Sequence, residues 1–481
     1  MPESNVNAAA DFAPDTIVAI STPPGRGGIG MVRLSGPGAA SIAAQLVRLR
    51  QPLEAGRVRL AEVLESAGED AATPIDEAVV TFFAAPRSYT KEDVVEIAAH
   101  GSPVVLELLL RRAIGLGARL AAPGEFTQRA FLSGRLDLTQ AEAVRDLIDA
   151  QTLTQARQAA SQMGGALSRR VAPVKQSLVE LIAMLEAGID FAEDDVDVTP
   201  SNEIGRRIDA LMPPLAALEA SFARGRIVHD GLTLAIVGRP NAGKSSLFNR
   251  LVERDRAIVT ATPGTTRDLV TERIALDGIP IEMVDTAGLR EGREEAEQLG
   301  IERSRGALAD AALVLVVLDA TQPLNEEEHR LLAAVRGRAA LVAINKWDLK
   351  LDSGMDGGLD SGAGGAQPEP ARNPALKDLV VLTTSALTGE GIPALRARIV
   401  ELATGGAAAE PGLLTNLRQH QAIIAALAGL GDAAKANTER IPHEMILLDL
   451  YRALWALDSL TGQTTADDIL NLIFSRFCIG K

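Results

Sequence analysis

The chain has 481 residues, a formal net charge of -15, and a composition of 47% hydrophobic and 23% charged residues. Its length exceeds what one hydrophobic core usually holds and predicts about three domains, while its composition excludes a largely disordered chain. The acidic charge argues against an extended nucleic-acid surface, because phosphate binding draws on Lys and Arg. We therefore expect no DNA binding, and RNA contact that is local or shared with a partner.

The sequence has no feature typical of export or of a membrane. No apolar run approaches the roughly 18 residues that cross a bilayer, and the opening MPESNVNAAADFAPD lacks the basic and apolar parts of a signal peptide. The single cysteine, Cys478, cannot form an internal disulfide, which agrees with a reducing compartment. These features predict a cytoplasmic protein that does not bind membranes.

The first part of the chain mixes two kinds of periodicity. Residues 15 to about 120 combine short β-type runs, TIVAI and GMVRL, with one strong helical stretch, SPVVLELLLRRAIGLG, which predicts a small α+β domain. From about residue 133 the sequence becomes rich in Ala, Leu and Gln, as in LTQAEAVRDLIDAQTLTQARQAA. Its apolar residues are three and four apart, which predicts the helices of a bundle.

The pattern changes again at LTLAIVG, residues 232–238, to a buried strand followed by a helix. Strands and helices then alternate to about residue 400, which predicts an α/β nucleotide-binding domain. Helical periodicity resumes after GGAAAEPG in HQAIIAALAGL, HEMILLDLYRALWALDSL and DDILNLIFSRF. We expect one helical bundle interrupted by an inserted domain; two separate helical domains are the alternative. The insert at 351–374 is rich in Gly, Asp and Pro and predicts a mobile loop without chemistry.

The stretch GRPNAGKS, residues 238–245, fits GxxxxGK[ST] and stands between a predicted strand and a predicted helix. Backbone N–H groups of the loop and of the helix N-terminus are expected to surround phosphates. Lys244 is expected to reach the β and γ oxygens and Ser245 to hold Mg²⁺. The further GTP contacts expected here are Asn241, Ala242, Gly243 and Ser246.

Base recognition is predicted from NKWD, residues 345–348, which follows the strand-like ALVAI. Asp348 can accept from both N1–H and N2–H₂ of guanine, and adenine lacks that donor pair, so GTP is favoured over ATP. TSA, residues 384–386, ends another strand, where its backbone can contact the base. The expected base-side contacts are Asn345, Lys346, Asp348, Ser385 and Ala386.

Two further motifs predict a nucleotide-dependent switch. In DTAG, residues 285–288, Asp285 is expected to hold Mg²⁺ through water, and the Gly288 N–H is expected to sense the γ-phosphate. GTTRD, residues 264–268, supplies Thr266 as a second hydroxyl beside Mg²⁺; a surface turn is the alternative for this motif. The other GTP contacts expected from these segments are Thr260, Ala261, Thr262, Pro263, Gly264, Thr265, Thr286 and Ala287.

Leu289 follows DTAG, where many GTP hydrolases keep a glutamine that orients the attacking water. Its side chain has no hydrogen-bonding group, so another group must do this. The acidic residues of REGREEAEQLG, residues 290–300, are candidates for a water-orienting base, and an added cation is a candidate for the charge that an arginine finger supplies.

The four nucleotide motifs, their order and the flanking segments resemble the MnmE (TrmE) family of tRNA modification GTPases over nearly the whole chain. The resemblance implies a multidomain fold: an α+β N-terminal folate-binding domain, an all-α helical domain and an inserted α/β P-loop GTPase domain of the Ras-like kind. The implied ranges are 1–130 for folate binding and dimerisation, 131–228 and 403–481 for the helical domain, and 229–402 for the GTPase domain.

The same resemblance implies how the missing glutamine is replaced. In the family K⁺ stands in for the arginine finger when two GTPase domains pair. Asn241 would ligate K⁺ through its side chain, and backbone oxygens of Thr260, Thr262 and Thr265 would complete the site. Glu297 matches the family's water-orienting glutamate, although the residues alone leave a solvated helix position equally open.

A second chemistry is implied at the two ends of the chain. PPGRGGIGMVRLSG, SYTKEDVVEIAAHGSP and PGEFTQRAFLSGRLDLTQAEA are similar to the family's folate-binding segments, and FCIGK matches its C-terminal CxGK signature. Arg33, Glu96, Arg135 and Lys481 are carried over as contacts to a 5-formyl- or methylene-tetrahydrofolate, and Cys478 as a functional thiol. Taken without the family, the first three are structural or surface charges, and a free cysteine packs inertly.

The resemblance implies a homodimeric, K⁺-stimulated GTPase that works with a flavoprotein, MnmG, as a heterotetramer. Together they would install a carboxymethylaminomethyl or aminomethyl group at C5 of the wobble uridine of certain tRNAs, with GTP hydrolysis driving conformational change. The alternative is a regulatory GTPase switch with a vestigial folate site and no role in RNA modification. A folate-dependent enzyme of one-carbon metabolism is a third hypothesis.

Overall fold

The computed structural model describes residues 15–65, 73–190, 200–252, 271–285, 311–351, 373–406, 412–463 and 480. The chain divides into two compact units. The first unit consists of Met1–Arg145, Met163–Gly165 and Trp455–Lys481, and the second of Asp146–Gln162 and Ala166–Leu454. Within the described ranges, no helix is both long enough and apolar enough to cross a membrane.

The first unit is built on a seven-stranded sheet. Its strands are β1 Ile17–Ile20, β2 Gly27–Ser35, β3 Val47–Leu49, β4 Val58–Leu64, β5 Pro74–Phe83, β6 Val94–Gly101 and β7 Arg119–Leu120. They lie in the order β3-β4-β5-β6-β2-β1-β7, and every neighbouring pair is antiparallel except β1 and β7. The predicted runs TIVAI and GMVRL lie in β1 and β2, so the α+β prediction is confirmed.

Helices α1 Ala39–Leu46 and α2 Pro103–Gly115 cover one face of this sheet. Helix α2 begins with Pro at its first position, which needs no backbone hydrogen bond there. Its buried Leu106 and Leu109 pack with Val32 of β2 in the core of the unit. Because side chains alternate along a strand, Arg33 of β2 and Glu96 of β6 lie on the other face of the sheet.

A second group of helices comes before and after the nucleotide-binding region in the described ranges. They are α4 Leu138–Asp149, α5 Leu153–Met163, α6 Ala166–Asp190, α7 Ser201–Ala220 and α8 Phe222–Asp230, then α13 Leu417–Thr438 and α14 His443–Thr461. The stretch LTQAEAVRDLIDAQTLTQARQAA forms both α4 and α5. A reciprocal cap separates them, because Thr152 Oγ1 accepts from the Gln155 N–H while Gln155 Oε1 accepts from the Thr152 N–H, both at 3.1 Å.

Helices from the two sides of the nucleotide-binding region contact each other within the second unit. Asn437 Nδ2 on α13 donates to the Ser201 carbonyl oxygen at the start of α7 at 2.9 Å. The ring of His420 on α13 stacks on Phe222 of α8 with centroids 3.9 Å apart, and its Nε2 lies 3.1 Å from Glu219 Oε1. These contacts agree with one interrupted bundle. The predicted helix DDILNLIFSRF lies outside the described residues.

The nucleotide-binding region is a six-stranded sheet with helices on both faces. Its strands are β8 Leu232–Val237, β9 Thr271–Leu276, β10 Ile279–Asp285, β11 Leu313–Asp319, β12 Ala340–Asn345 and β13 Val380–Thr383. Its helices are α9 Lys244–Val252, α10 Glu326–Ala334, α11 Trp347–Leu351 and α12 Ile392–Thr404. Outside this region, the first unit also contains a short helix, α3 Glu125–Leu132.

The strand order of this sheet is β13-β12-β11-β8-β10-β9, with β9 antiparallel and all other neighbours parallel. Every residue of β11 is buried, as expected for a parallel strand covered on both faces. The chain leaves β8 at the point where later strands add on both sides, which is where α/β sheets bind ligands. The fold therefore puts the loop after β8 at the site.

Candidate functional site

The phosphate-binding loop, residues 238–243, connects β8 to α9. Gly238 has φ +150°, and a Cβ there would lie 2.2 Å from the Val317 carbonyl oxygen of β11. Gly243 has φ +89°, and its Cβ would lie 2.3 Å from Asn345 Nδ2. The two glycines therefore let the loop lie directly on β11 and β12. The loop then enters α9, whose N-terminal N–H groups favour a bound anion.

Lys244 is the first residue of α9 and is buried. Its Nζ donates hydrogen bonds to the carbonyl oxygens of Gly238 and Arg239, both at 2.8 Å. These bonds hold the ammonium group against the loop. An ammonium group held beside the N-terminus of α9 suits phosphate oxygens as its ligand.

The other predicted residues of the loop and of α9 differ in exposure. Asn241 is exposed and has φ 63°, a left-handed conformation that Asn adopts more readily than most residues. Ala242 is buried, Ser245 is half-buried and Ser246 is exposed. A half-buried hydroxyl directly after Lys244 suits a ligand to a hard cation beside the phosphates.

Asn345 joins three of the nucleotide motifs. It ends β12, is buried, and its Nδ2 donates to the Ala242 carbonyl oxygen at 3.0 Å. Its Oδ1 accepts a hydrogen bond from the Ala386 backbone N–H, also at 3.0 Å. The structure thus brings NKWD, the P-loop and TSA together at the carboxyl edge of the sheet, where the carboxyl ends of parallel strands meet.

Lys346 is held by a carboxylate that the sequence motifs did not reveal. It has φ 63°, and its Nζ donates to Asp319 Oδ2 at 2.8 Å. Asp319 is buried at the end of β11 and also accepts from the backbone N–H and hydroxyl of Thr321. Burial raises the pKa of Asp319, but the hydrogen bonds from Lys346 and Thr321 outweigh it and hold the pKa below its ordinary value. The sequence feature that could have revealed Asp319 is its position as a carboxylate at the end of the strand-like run LVLVVLD.

Arg239, the second residue of the loop, extends this network to α10. Its Nε lies 3.3 Å from Glu328 Oε1, and its Nη2 lies 4.0 Å from Asp319 Oδ2. Glu328 is buried and also caps α10, because its Oε2 accepts from the Asn325 N–H while its own N–H donates to Asn325 Oδ1. The pair anchors the P-loop to α10. Sequence reasoning missed both members, because their contact spans 89 positions and matches no motif.

Asp348 and Ser385 lie on two segments that hydrogen bonds hold side by side. Asp348 is half-buried in α11, and the N–H of the preceding Trp347 donates to the Thr384 carbonyl oxygen at 3.1 Å. Ser385 is buried, and its Oγ accepts from the Thr388 N–H at 3.1 Å. This is the arrangement expected if NKWD and TSA bind one base together.

Asp285 is the last residue of β10 and pairs in register with Ile236 of β8, two residues before the P-loop. The register puts the start of DTAG beside the phosphate-binding loop. The predicted residues that lie outside the described residues are Thr260, Ala261, Thr262, Pro263, Gly264, Thr265, Thr266, Thr286, Ala287, Gly288, Glu297, Cys478 and Lys481. Most of the Gly-rich insert, residues 352–372, also lies outside them.

A second candidate site lies on the first unit. Arg33 of β2 and Glu96 of β6 are opposite each other in register, and Arg33 Nη2 lies 2.7 Å from Glu96 Oε1. Arg135 Nη1 donates to the Ser88 carbonyl oxygen at 2.9 Å. All three of these sequence-predicted residues line one cavity of about 550 Å³. The structure therefore brings together residues that are separated by about 40 to 100 positions.

Tyr89 organises the wall of this cavity. The guanidinium carbons of Arg33 and Arg135 lie 5.7 and 5.0 Å from its ring centroid, and its hydroxyl lies 3.0 Å from Thr127 Oγ1. Arg33 is also 5.7 Å from the ring of the buried Phe126. These contacts fix two cations against aromatic faces, where the ring quadrupole attracts them. The remaining lining residues are Phe83, Pro86, Arg87, Ser88, Lys91 and Val94.

An ion cluster ties the segment that carries Tyr89 to α3. Arg129 of α3 contacts Glu92 at 3.2 Å, Glu125 at 2.9 Å and Asp15 at 2.6 Å. Burial raises the pKa of Glu125, but hydrogen bonds from Arg119, the Ala122 N–H and Arg129 outweigh it and hold the pKa below its ordinary value. The cluster keeps its charges paired, as buried charges require. Sequence reasoning did not find it, since single charges on strands and short helices carry no spacing signal.

Comparison with known proteins identifies the chain. The model described as "GTP-binding protein TrmE N-terminus" matches residues 16–135, and the model described as "MnmE helical domain" matches residues 138–478. The tRNA modification GTPase MnmE of Koribacter versatilis (strain Ellin345) is 56% identical over 472 residues, which cover 97% of this chain and 99% of that protein. The chain belongs to the MnmE family of tRNA modification GTPases.

Other MnmE proteins are similar over the same length. The protein of Chloroflexus aurantiacus is 42% identical over 97% of this chain and 100% of its own. The protein of Thermotoga maritima is 40% identical over the same shares. Among solved structures, the G domain of the T. maritima FeoB iron transporter is 26% identical, with a TM-score of 0.26 over 36% of this chain and 98% of that one. An Aquifex aeolicus Era variant bound to GDP and AlF₄⁻ is 23% identical, with a TM-score of 0.27 over 41% and 66%.

Proposed function

We propose that this tRNA modification GTPase uses GTP hydrolysis to drive installation of a carboxymethylaminomethyl or aminomethyl group at C5 of the wobble uridine of certain tRNAs. It acts with a flavoprotein, MnmG, as a heterotetramer. What supports the proposal is that the P-loop, NKWD and TSA meet at one edge of a sheet, while Arg33, Glu96 and Arg135 line a cavity of the first unit. A regulatory switch needs only the first of these sites, and a folate-dependent enzyme of one-carbon metabolism needs only the second; a tRNA modification GTPase that takes its carbon from a folate uses both.

GTP is the substrate of the first site. Lys244 neutralises charge on the β and γ phosphates, the N-terminal N–H groups of α9 receive phosphate oxygens, and Asp348 selects guanine. Asn345 holds the phosphate-side and base-side segments at a fixed separation, because it bonds to Ala242 and to Ala386. Preorganised donors of this kind stabilise the charge that develops during phosphoryl transfer.

Two cations fit the donors beside the phosphates. The hydroxyls of Ser245 and Thr266, with Asp285 acting through water, are hard oxygen ligands of the kind that Mg²⁺ prefers. The exposed Asn241 amide would offer K⁺ a neutral oxygen, and the family resemblance adds backbone oxygens of Thr260, Thr262 and Thr265, which lie outside the described residues. K⁺ held by these oxygens would supply the positive charge that an arginine finger contributes in other GTPases.

Glu297 takes the place of the absent glutamine. Leu289 has no hydrogen-bonding group, and a carboxylate can both orient a water molecule and accept its proton. The assignment of Glu297 rests on the resemblance of its position to the family's glutamate. In this proposal Glu297 is the base that accepts the proton of the attacking water, while Lys244 and Ser245 position the phosphates and Mg²⁺.

The cavity of the first unit fits a 5-formyl- or methylene-tetrahydrofolate. Its volume of about 550 Å³ lies within the usual range for cofactor pockets. The Arg33–Glu96 pair offers donors and acceptors to a pterin, and Arg135 offers a cation to the carboxylate tail. The Gly480 carbonyl oxygen accepts from Ser21 Oγ at 3.0 Å, and Ser21 follows β1, the strand that pairs with Arg33 of β2. The roles of Cys478 and Lys481 at the folate site rest on the family resemblance.

The uncovered face of the first sheet supports a homodimer. Val58 and Leu60 of β4 and Val79 of β5 are 62%, 58% and 41% exposed, and Leu60 and Val79 are opposite each other in register. Adjacent exposed apolar side chains on a sheet are typical of a surface that another protein covers. A second copy of the chain is the partner we propose, and it would bring two GTPase domains into one assembly.

Wobble-nucleoside analysis by mass spectrometry tests the proposed function. Cells that lack the protein should lose the 5-substituted wobble uridines, and the wild-type gene should restore them in the cytoplasmic tRNA pool. Arg33→Met should fail to restore them although Lys244 and its site are intact, because the folate pair is broken. Unchanged nucleosides in the deletion would favour the regulatory switch instead.

A further inference from the structure

We infer that the cavity of the first unit is built for folates that carry more than one glutamate, and that Arg87 and Lys91 at its mouth bind the added carboxylates. The inference rests on the proposed folate function and adds to it the class of folate. It comes from the charges that line the cavity and from how the structure holds them.

The wall of the cavity carries more positively charged than negatively charged side chains. Five of its lining residues are charged: Arg33, Arg87, Lys91, Glu96 and Arg135. The one carboxylate, Glu96, is paired with Arg33 at 2.7 Å. Three cations therefore remain that no carboxylate on the wall balances. A wall of this kind selects a ligand with several negative charges.

The paired and unbalanced charges occupy different depths. The side chains of Arg33 and Glu96 are only 20% and 21% exposed, and Arg33 lies against the ring of the buried Phe126. Arg87, Lys91 and Arg135 are all exposed. The inner end thus suits the ring system of a folate, and the mouth suits its anionic tail.

Two of the three mouth cations are held in place by backbone groups. Arg135 donates to the Ser88 carbonyl oxygen, and Lys91 Nζ donates to the Ser133 carbonyl oxygen, each at 2.9 Å. These crossed bonds tie residues 88–91 to residues 133–135. Each bond uses one donor of a side chain that has three or five, so N–H groups remain for carboxylates. Preorganised donors lose less entropy on binding than free ones.

The number of carboxylates on the ligand can be compared with the number of cations at the mouth of the cavity. A folate with one glutamate carries two carboxylates, and each further glutamate, joined through the γ-carboxyl group, adds one net negative charge. Two glutamates therefore supply three carboxylates, one for each of Arg87, Lys91 and Arg135. A longer tail adds charges without adding partners among the lining residues that the structure describes.

Isothermal titration calorimetry of the full-length protein tests this inference with 5-formyl-tetrahydrofolate that carries one, two or five glutamates. We expect the two-glutamate form to bind about three- to fivefold more tightly than the one-glutamate form, as one added ion pair at an exposed site provides. The five-glutamate form should add at most about twofold. The difference should shrink between about 50 mM and about 300 mM KCl, because salt screens exposed charges.

The double variant Arg87→Ala/Lys91→Gln tests which residues are responsible. Its ratio of one-glutamate to two-glutamate dissociation constants should fall to near one. Arg111→Ala is the matched control, because Arg111 is an exposed arginine of α2 that pairs with Glu107 and does not line the cavity. Thermal melting of each variant verifies that it is folded.

Each result has a separate meaning. Equal affinity of the wild type for one and two glutamates would overturn the inference and leave the folate function standing. A double variant that keeps the wild-type ratio would overturn the assignment to Arg87 and Lys91. Absence of binding by every form would overturn the folate function, and the inference with it.

Discussion

At the scale of single residues, Asp319 connects the two halves of the nucleotide site. Its carboxylate bonds to Lys346 of NKWD and lies 4.0 Å from Arg239 of the P-loop. Because hydrogen bonds keep it ionised in spite of burial, it supplies a fixed negative charge between two cations. Removal of that charge should loosen both motifs at once.

We predict that Asp319→Asn weakens GDP and GTP binding about tenfold, since a buried charge-assisted hydrogen bond to Lys346 is replaced by a neutral one. Titration with a fluorescent guanine nucleotide measures the effect. Glu326→Gln is the control, because Glu326 is an exposed carboxylate on α10 that pairs with Arg330. Unchanged affinity in Asp319→Asn would mean that the network does not position Lys346.

Residues that belong to motifs could be predicted from the sequence, and residues that support them could not. Ala242, Asn345 and Ala386 meet as the order of the motifs predicts, because parallel strands bring their carboxyl ends to one edge. Arg239 and Glu328 were missed, because a single ion pair between distant positions leaves no periodic or spacing signal. The roles of Glu297 and Cys478 stay predictions.

At the scale of elements, the junction of α8 and β8 links the bundle to the nucleotide-binding sheet. His229, in the last turn of α8, lies 3.1 Å from Asp146 and 2.7 Å from Asp230, and its carbonyl oxygen accepts from Gln155 Nε2 at 2.7 Å. The hydrogen bond with Asp146, opposed by burial and assisted by Asp230, raises the pKa of His229 to about 9.

The junction also touches β10. A Cβ on Gly231 would lie 2.7 Å from the Pro280 carbonyl oxygen, so the turn after α8 is packed against the start of that strand. Strand β10 ends at Asp285, the first residue of DTAG. One strand therefore runs from the start of DTAG to the base of the helical bundle.

We predict that His229→Gln lowers the melting temperature by about 2–4 °C at pH 6 and by much less above pH 9. The folded-state pKa of about 9 exceeds the ordinary value of 6.5, so the protonated ring favours the folded state. This stabilisation is complete below about pH 6.5 and is lost as the pH rises through 9. Differential scanning fluorimetry at several pH values measures it.

His329→Gln is the matched control for that experiment, because His329 is an exposed histidine of α10. It should change the melting temperature little at any pH. An effect of His229→Gln that is the same at pH 6 and above pH 9 would contradict the charged state assigned to His229.

Strong periodicity predicted individual elements, whereas their partners emerged only from the structure. SPVVLELLLRRAIGLG became α2 and LTLAIVG became β8 because each carries a regular apolar pattern. The order of the seven-stranded sheet could not be predicted, since β2 pairs with β6 and β1 pairs with β7 across about 60 to 100 positions. The same holds for the pairing of α7 with α13, whose contacts join residues more than 200 positions apart.

At the scale of the whole molecule, the uncovered sheet face predicts the oligomeric state. Leu60→Lys/Val79→Lys should convert a dimer to a monomer in size-exclusion chromatography with light scattering, because two buried charges would replace apolar contacts. Val104→Lys is the control, since Val104 is 77% exposed on α2, which covers the opposite face. A double variant that stays dimeric would show that this face is not the interface.

The order of the α+β, helical and α/β segments could be predicted, because composition and periodicity change near residues 133, 232 and 405, and the domain bounds stay predictions. The interrupted bundle followed from helical sequence on both sides of an α/β segment, and contacts such as Gln162 with Leu413 agree with it. The arrangement of the domains in each nucleotide state could not be predicted. One sequence encodes all of these arrangements, and their relative free energies decide which one is populated.

Steady-state GTP hydrolysis in KCl and in equimolar NaCl, with and without the flavoprotein, tests the central claim most directly. We predict that turnover in KCl is at least about tenfold higher, because K⁺ supplies transition-state charge that Na⁺, too small for the oxygen cage, cannot. Asn241→Ala should abolish the difference, and Asn249→Ala, which changes an exposed asparagine of α9, should keep it. Equal rates of the wild type in the two salts would contradict the account.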